Sequence, residues 1–301
     1  MHTTREKRPT FQAAATLHIR WMQSARYSAS AMNRRQAVLD KLQLYAGPRT
    51  NADLTREKLA KWRDRRRGEV CDSTLRMECS HVQSFVDWAL ERGMLQVGLV
   101  ALPKSESRIL DTAPKADART WLTDDQVGKI LQVTTGDRRG VITLLLGTGL
   151  RKGEAAQLLV SWWDADDRVL RIPEYGTRRT KHHGRDLPVG TIVGGILDGF
   201  AKDKDPDDTL LLGSGGGSLP KQANDWLKPF GCSPHDLRRW YSQTLLRAGC
   251  PHEIRHAMLG HAPSRRDEAY ERPDEDDMLG WARQVDESLE ALQGVLSDGE
   301  V

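Results

Sequence analysis

The chain has 301 residues, enough for about two domains of ordinary size, and 38% of them are hydrophobic, enough to fill their cores. No apolar run approaches the roughly 20 residues a membrane span needs, and the opening Met1-His2-Thr3-Thr4-Arg5-Glu6-Lys7-Arg8-Pro9 lacks the apolar stretch of a signal peptide. The net charge of +3 conceals an asymmetry: residues 1–104 hold 19 Lys/Arg against 10 Asp/Glu, whereas residues 264–301 hold 4 against 12. A basic front half points to a polyanionic partner, and an acidic tail is expected to lie away from it. Cys71, Cys79, Cys232 and Cys250 are scattered, none at C-x-x-C spacing, which argues against a zinc site or a disulfide framework. A soluble cytoplasmic protein is expected.

In chain order, residues 10–93 read as a bundle of four helices. Phe11, Ala14, Leu17 and Trp21 recur at helical spacing. Ser30 can cap a second helix carrying Leu39, Leu42 and Tyr45, stopped by Gly47-Pro48. A third starts near Thr55 and ends in Arg63-Asp64-Arg65-Arg66-Arg67, whose Arg63, Arg65, Arg66 and Arg67 are candidate contacts to that polyanion. A fourth begins after Asp72 and is closed by Gly93. The Pro-containing stretch from Gly98 to Ala118 reads as a linker.

The second half opens on Thr123-Asp124-Asp125-Gln126, a capping-box pattern. Val141-Ile142-Thr143-Leu144-Leu145-Leu146 reads as a buried helix. Trp162-Trp163, Val169–Ile172 and Arg185–Val189 read as three short antiparallel strands, with a turn at Lys181-His182-His183-Gly184 before the third. Gly213-Ser214-Gly215-Gly216-Gly217-Ser218 resembles a phosphate cradle but lacks the Gly-Lys-Ser/Thr ending, so a connector is expected. Beyond Tyr270, Met278, Trp281, Val285, Leu289, Leu292 and Leu296 mark an amphipathic helix.

Three stretches carry chemistry. In Thr148-Gly149-Leu150-Arg151-Lys152-Gly153-Glu154 a turn delivers Arg151 to the start of a helix, where free backbone donors favour an anion, with Glu154 one turn on to brace the guanidinium. In His235-Asp236-Leu237-Arg238 the imidazole and guanidinium share one helical face, so both can converge on one phosphate, and Arg238 offers a forked, permanently charged donor set. The third is Leu259-Gly260-His261, followed nine residues later by Tyr270. Each alone is weak: an Arg–Glu pair at this spacing is commonly a surface ion pair.

In order, spacing and flanking residues, the three resemble the catalytic domain of the tyrosine recombinase, or phage integrase, family. That family shows Thr-Gly-Leu-Arg-x-x-Glu, then His-x-Leu-Arg, then Leu-Gly-His, then a Tyr nine residues on. The resemblance covers residues 120–273 strongly, and residues 10–93 are similar in size and pattern to the family's helical core-binding domain. It implies a mainly α fold with a small antiparallel β-sheet: a core-binding domain over residues 1–97, a linker over 98–118, a catalytic domain over 119–273 and a helical tail over 274–301.

The resemblance further implies that Tyr270 is the nucleophile, that Arg151, His235, Arg238 and His261 activate the phosphate, and that Glu154 supports Arg151. Lys181 matches the family's strand-turn lysine loosely, with Arg178 and Arg179 crowding the turn and His182 and His183 as rival proton donors. A phenol has a pKa near 10 and needs a proton acceptor, for which His235 is the first candidate, and Lys181 could protonate the departing 5′-oxygen. With no metal-spaced carboxylate cluster and no Walker motif, neither metal nor nucleotide cofactor is expected.

The partners implied are double-stranded DNA core or attachment sites, further copies assembling into a tetramer on paired sites, and accessory DNA-bending or directionality proteins, with nucleoid association. The tail is expected to dock on a neighbouring copy rather than cap its own domain. The compact, Xer-like length, without an arm-binding module, fits integrase and dimer resolvase alike. A type IB topoisomerase shares the Tyr, Arg and His logic but would act without paired sites. A non-enzymatic DNA-binding descendant would leave the intact set of five residues unexplained.

Overall fold

The computed structural model describes residues 9–46, 54–94, 121–174, 184–213, 215–261 and 273–294. Two compact units divide near residue 120, and each is described by itself. The expected linker, the Lys181-His182-His183 turn and Tyr270 lie outside the described residues.

The first unit holds helices α1 (Phe11–Ser24), α2 (Ala29–Ala46), α3 (Arg56–Arg67) and α4 (Asp72–Glu91). Hydroxyls start three of them: Thr10 accepts from the Ala13 amide, Ser28 from Ala31 and Thr55 from Lys58, each satisfying an amide the helix leaves unpaired. The second helix is thus started by Ser28 and not by Ser30, which lies inside it. Phe11, Leu39, Leu42, Trp62, Leu75 and Phe85 fill the core between the four.

Two features of this unit were not foreseen. Glu78 of α4 is buried to 1% and accepts two bonds from the Arg66 fork at 2.8 Å and one from Lys41 at 3.0 Å. Arg66 also bonds Glu69, and only 9% of it is exposed. As a DNA contact Arg66 is therefore corrected: the guanidinium is spent pinning α3 to α4. Arg65 and Arg67 are exposed on α3, each within ion-pair distance of an acid, and Arg63 lies half-buried beside Asp64. The second feature is His18, fully buried against Trp21, Phe85 and Trp88, with neither ring nitrogen hydrogen-bonded among the described residues.

The second unit is built on α6 (Gly136–Thr148), which follows α5 (Asp124–Val133). The capping box at the head of α5 is present, with Thr123 and Gln126 exchanging bonds at 3.2 and 3.0 Å. Residues Val141–Thr148 of α6 are buried on every side, which is why their sequence shows no amphipathic period. A turn of α-helix, α7 (Lys152–Ala155), leads to an antiparallel sheet in the order β1-β2-β3. Its strands are β1 (Trp163–Asp164), β2 (Val169–Ile172) and β3 (Arg185–Pro188), with Leu170 opposite Trp163 on one side and Leu187 on the other. Trp162 belongs to a 3₁₀ turn over Val160–Trp162, so the first strand starts one residue later than its sequence suggests. Helices α8 (Thr191–Ala201), α9 (Leu219–Leu227), α10 (Pro234–Arg247), α11 (His252–Met258) and α12 (Glu275–Gly294) complete the unit. In the glycine-rich loop the Gly213 and Gly216 amides bond to carbonyls within the loop itself, so they are not turned towards a phosphate.

The tail docks on its own domain, which corrects the expectation of a neighbouring copy. Met278, Ala282, Val285 and Leu289 of α12 are at most 6% exposed within the same core as α6 and β3. Asp286, also buried, accepts the Ile192 amide at 2.7 Å and so caps α8, and Arg171 of β2 holds Glu275 at 3.1 Å. The carboxylates of Glu275, Asp276 and Asp277 sit in the first turn of α12, where the helix dipole favours them.

Candidate active site

Arg151 is placed by the way α6 ends. The Thr148 hydroxyl donates to the Leu144 carbonyl at 2.6 Å and accepts the Leu150 amide at 3.3 Å, drawing the chain into a tight turn. Gly149 then adopts φ +61°, a left-handed conformation disfavoured for residues with a Cβ, and a Cβ there would also run into the Tyr241 ring. Beyond the turn Leu150 is fully buried and Arg151 is extended at the cap of α7. Glu154, 1% exposed, accepts the Arg151 amide at 2.8 Å and its guanidinium at 2.8 Å, so one carboxylate fixes both ends of the residue.

His235 and Arg238 come from the first turn of α10. Pro234 opens that helix with a preset φ, and Asp236 accepts both the Ser233 amide at 2.9 Å and its hydroxyl at 2.7 Å. Arg238, 4% exposed, donates to the carbonyls of Gly149 and Leu259 at 2.6 Å each and approaches Glu154 to 3.8 Å. The second arginine thereby holds the turn that carries the first. His235 is exposed at the head of the helix.

His261 follows α11 through Leu259 and Gly260, the latter at φ +61°. Its amide bonds the His256 carbonyl at 3.0 Å, and Arg238 reaches its Nε2 at 3.1 Å. A guanidinium can only donate, so in this contact Nε2 accepts and a neutral ring carries its proton on Nδ1.

The electrostatics favour an anion. Burial opposes the charged form of Glu154, but Arg185, the Arg151 amide and the Arg151 guanidinium outweigh it and hold the carboxyl down at about 2. Burial, with Arg151 and Arg185 alongside and Glu154 partly offsetting them, brings Arg238 down to about 10, still protonated at neutral pH. Burial lowers His261 to about 4, helped by Arg238, His256 and Arg151. Partial desolvation and the cations of Arg239, Arg238 and Arg151 lower His235 as well. Both imidazoles are thus neutral at pH 7, one able to accept a proton and the other held by Arg238. Two fixed guanidiniums beside neutral imidazoles can stabilise charge that develops on the non-bridging oxygens of a phosphodiester.

The structure therefore brings Arg151, Glu154, Arg238 and His261 together and sets His235 within electrostatic reach of them. Lys181 and Tyr270 lie outside the described residues. Two contributors carried no sequence signal: Arg185, which bonds Glu154 at 3.3 Å, and Tyr241, buried beneath Gly149. The Ser-Pro-x-Asp pattern over Ser233–Asp236 could have been read as a helix start.

Known proteins share sequence and fold with this chain. Tyrosine recombinase XerC of Proteus mirabilis is 26% identical over 212 residues, a match spanning 63% of this chain and 64% of the length of that relative. Among solved structures, the Tn1549 transposon integrase (residues 82–397), in complex with circular intermediate DNA, is 15% identical and covers 89% of this chain and 97% of its own, with a TM-score of 0.67. Lambda integrase (75–356), a dimer bound to a COC′ core site, is 16% identical, covers 89% of this chain and 99% of its own, and has the same TM-score. These likenesses show the fold. The model of the phage integrase family matches residues 120–276, more than half of the 301, and the chain belongs to that family.

Proposed function

We propose that the chain is a site-specific DNA recombinase of the tyrosine type, an integrase that cleaves and religates strands through a 3′-phosphotyrosyl intermediate. The observation that carries this reading is the convergence of Arg151 and Arg238 on Glu154, with His261 held by Arg238, from three segments far apart in sequence. In this mechanism Tyr270 attacks the scissile phosphorus and its phenolic proton passes to His235, which is held neutral for the task. Arg151, Arg238 and His261 balance the charge gathered on the phosphate. The bond to the 5′-oxygen breaks, and Lys181 protonates that oxygen. The phosphodiester's energy is retained in the phosphotyrosyl bond, so religation by a 5′-hydroxyl is the same step reversed.

Residues 1–97 would grip the duplex, with Arg63, Arg65 and Arg67 directed to backbone phosphates, and residues 98–118 would join them to the catalytic domain over 119–273. Paired core sites and a tetramer are the proposed working assembly, supported by the lambda integrase tetramer bound to a Holliday junction, which shares the fold. Resolution of chromosome or plasmid dimers by the same chemistry is a second reading, favoured by the likeness to XerC.

The test is covalent capture. A randomised library of nicked duplexes is incubated with the protein, and complexes that survive denaturation are sequenced. The parent is expected to select one inverted-repeat site and Tyr270→Phe to yield no covalent band while still binding that site. Covalent complexes from the Phe variant would refute the role of Tyr270, and none from the parent would refute the recombinase reading. Recovery of the selected site beside the gene favours integration, whereas recovery at a replicon's own resolution locus favours the second reading.

A further inference from the structure

We propose that Arg185 is a positioning residue of the phosphate site, a buried clamp that joins the carboxylate supporting Arg151 to the turn that presents His261. The inference rests on the recombinase reading and deepens it.

Arg185 opens β3, and its side chain is 7% exposed. Its Nη2 donates to Glu154 Oε2 at 3.3 Å and its Nε to the Met258 carbonyl at 3.1 Å. Glu154 holds Arg151, and Met258 ends the helix whose next residues are Leu259, Gly260 and His261. One planar group therefore touches the first catalytic segment and the third, while Arg238 of the second segment reaches both from α10. The fit is close: a Cβ on Gly260 would strike the Arg185 guanidinium, and Gly260 already needs a left-handed φ. A glycine is thus demanded immediately before His261 for two separate reasons, one of them Arg185.

A buried ion pair is a weak source of stability, because desolvating both charges consumes most of the attraction between them. Among the described residues Arg185 also leaves its Nη1 buried without a hydrogen-bond partner, a further cost to the fold. A residue placed at such expense among the catalytic groups is better explained by geometry than by stability. Its charge is felt there too: Arg185 contributes to lowering the pKa of Glu154 and of His261. The charged and titratable groups that bear on His261 are Arg238, His256, Arg151 and Arg185.

Two variants test the proposal, Arg185→Met, which removes charge and fork, and Arg185→Lys, which keeps the charge but cannot make both contacts. Single-turnover cleavage is measured at saturating concentrations of the duplex selected above, with the Kd for that duplex measured separately. Misplacing catalytic groups by about 1 Å can cost on the order of 10²-fold, so Arg185→Met is expected to cleave about a hundredfold more slowly, with Kd changed less than threefold. Arg185→Lys should recover part of that rate. The His261 ring, followed by NMR in the free protein, should titrate at higher pH in Arg185→Met than in the parent and near the parental pH in Arg185→Lys. Should Arg185→Met not fold, Arg185→Lys decides alone, and a cleavage rate at least tenfold below parental with Kd preserved supports the clamp. Parental cleavage at saturation in whichever variant folds, with only the melting temperature lowered, would overturn it. A parent that forms no covalent complex at all would instead overturn the recombinase reading, and the NMR titration would still report on the clamp.

Discussion

Shortening Leu289 to alanine tests whether the C-terminal helix belongs to the domain beneath it. Leu289 is fully buried, with its Cδ1 against Gly147 of α6, and Val285 one turn earlier is equally covered. A buried Leu→Ala change costs about 2–5 kcal/mol, according to how far the surroundings collapse. In a unit of this size each kcal/mol lowers the melting temperature by roughly 2–4 °C, so Leu289→Ala should melt about 4–20 °C below the parent. Removing residues 275–301 strips away Met278, Val285 and Leu289 together, at about 1.5–3 kcal/mol for each buried side chain. That loss is comparable to the entire stability of an ordinary domain, about 5–15 kcal/mol. The assay is hydrogen exchange at low micromolar protein without DNA, read on peptides from α6 and β3, with Leu44→Ala as control because Leu44 is 91% exposed. Faster exchange in Leu289→Ala and not in Leu44→Ala is expected. Parental exchange in Leu289→Ala, or protection that grows with protein concentration, would refute docking on the same chain.

Gly149→Ala should lose cleavage and lower the melting temperature, with roughly 1–2 kcal/mol from the left-handed backbone alone and more from the collision with Tyr241, as thermal denaturation and covalent capture would show. His18 should make the first unit acid-sensitive. Burial and the charges of Arg35 and Arg92 lower its pKa to about 4, so between about pH 6.5 and 4 the unfolded chain takes up a proton that the folded one refuses. Stability present above that window should fall by up to about 3 kcal/mol as pH drops through it, and urea titrations of His18→Leu should show a flatter pH profile. DNA affinity should fall steeply with salt, by roughly 10³–10⁵ between 50 and 200 mM if about 6–10 phosphates are contacted, and a salt-independent Kd would contradict backbone gripping.

What could be read in the sequence was what neighbouring residues decide. The capping box at Thr123 and the helix start at Thr55 depend on contacts three residues apart, so they were legible, whereas the fourth helix takes in Asp72 without a side-chain cap and starts one residue earlier than read. The Arg151–Glu154 pairing was legible for the same reason. Arg66 looked identical to its neighbours in a basic run because its partner, Glu78, lies twelve residues on in another helix. Arg185 was hidden likewise, bonding residues 31 and 73 positions away. An apolar stripe on α12 announced that something must cover it but not which surface, and the choice between its own chain and another was settled only by the packing of Leu289 and Asp286.

The Glu154 carboxylate is shared by three guanidiniums, those of Arg151, Arg185 and Arg238. Positive charge is therefore in excess at the centre of this unit, and the pKa of Arg238, lowered first by burial, is lowered further by Arg151 and Arg185. Such a centre works against the folding of its own domain and is relieved only by an added negative charge. Occupancy and conformational stability are then two views of one equilibrium: whatever anion settles among the arginines also tightens the domain around it. The charges that would hold a phosphate are thus the ones that a bound phosphate would let the domain carry at lower cost.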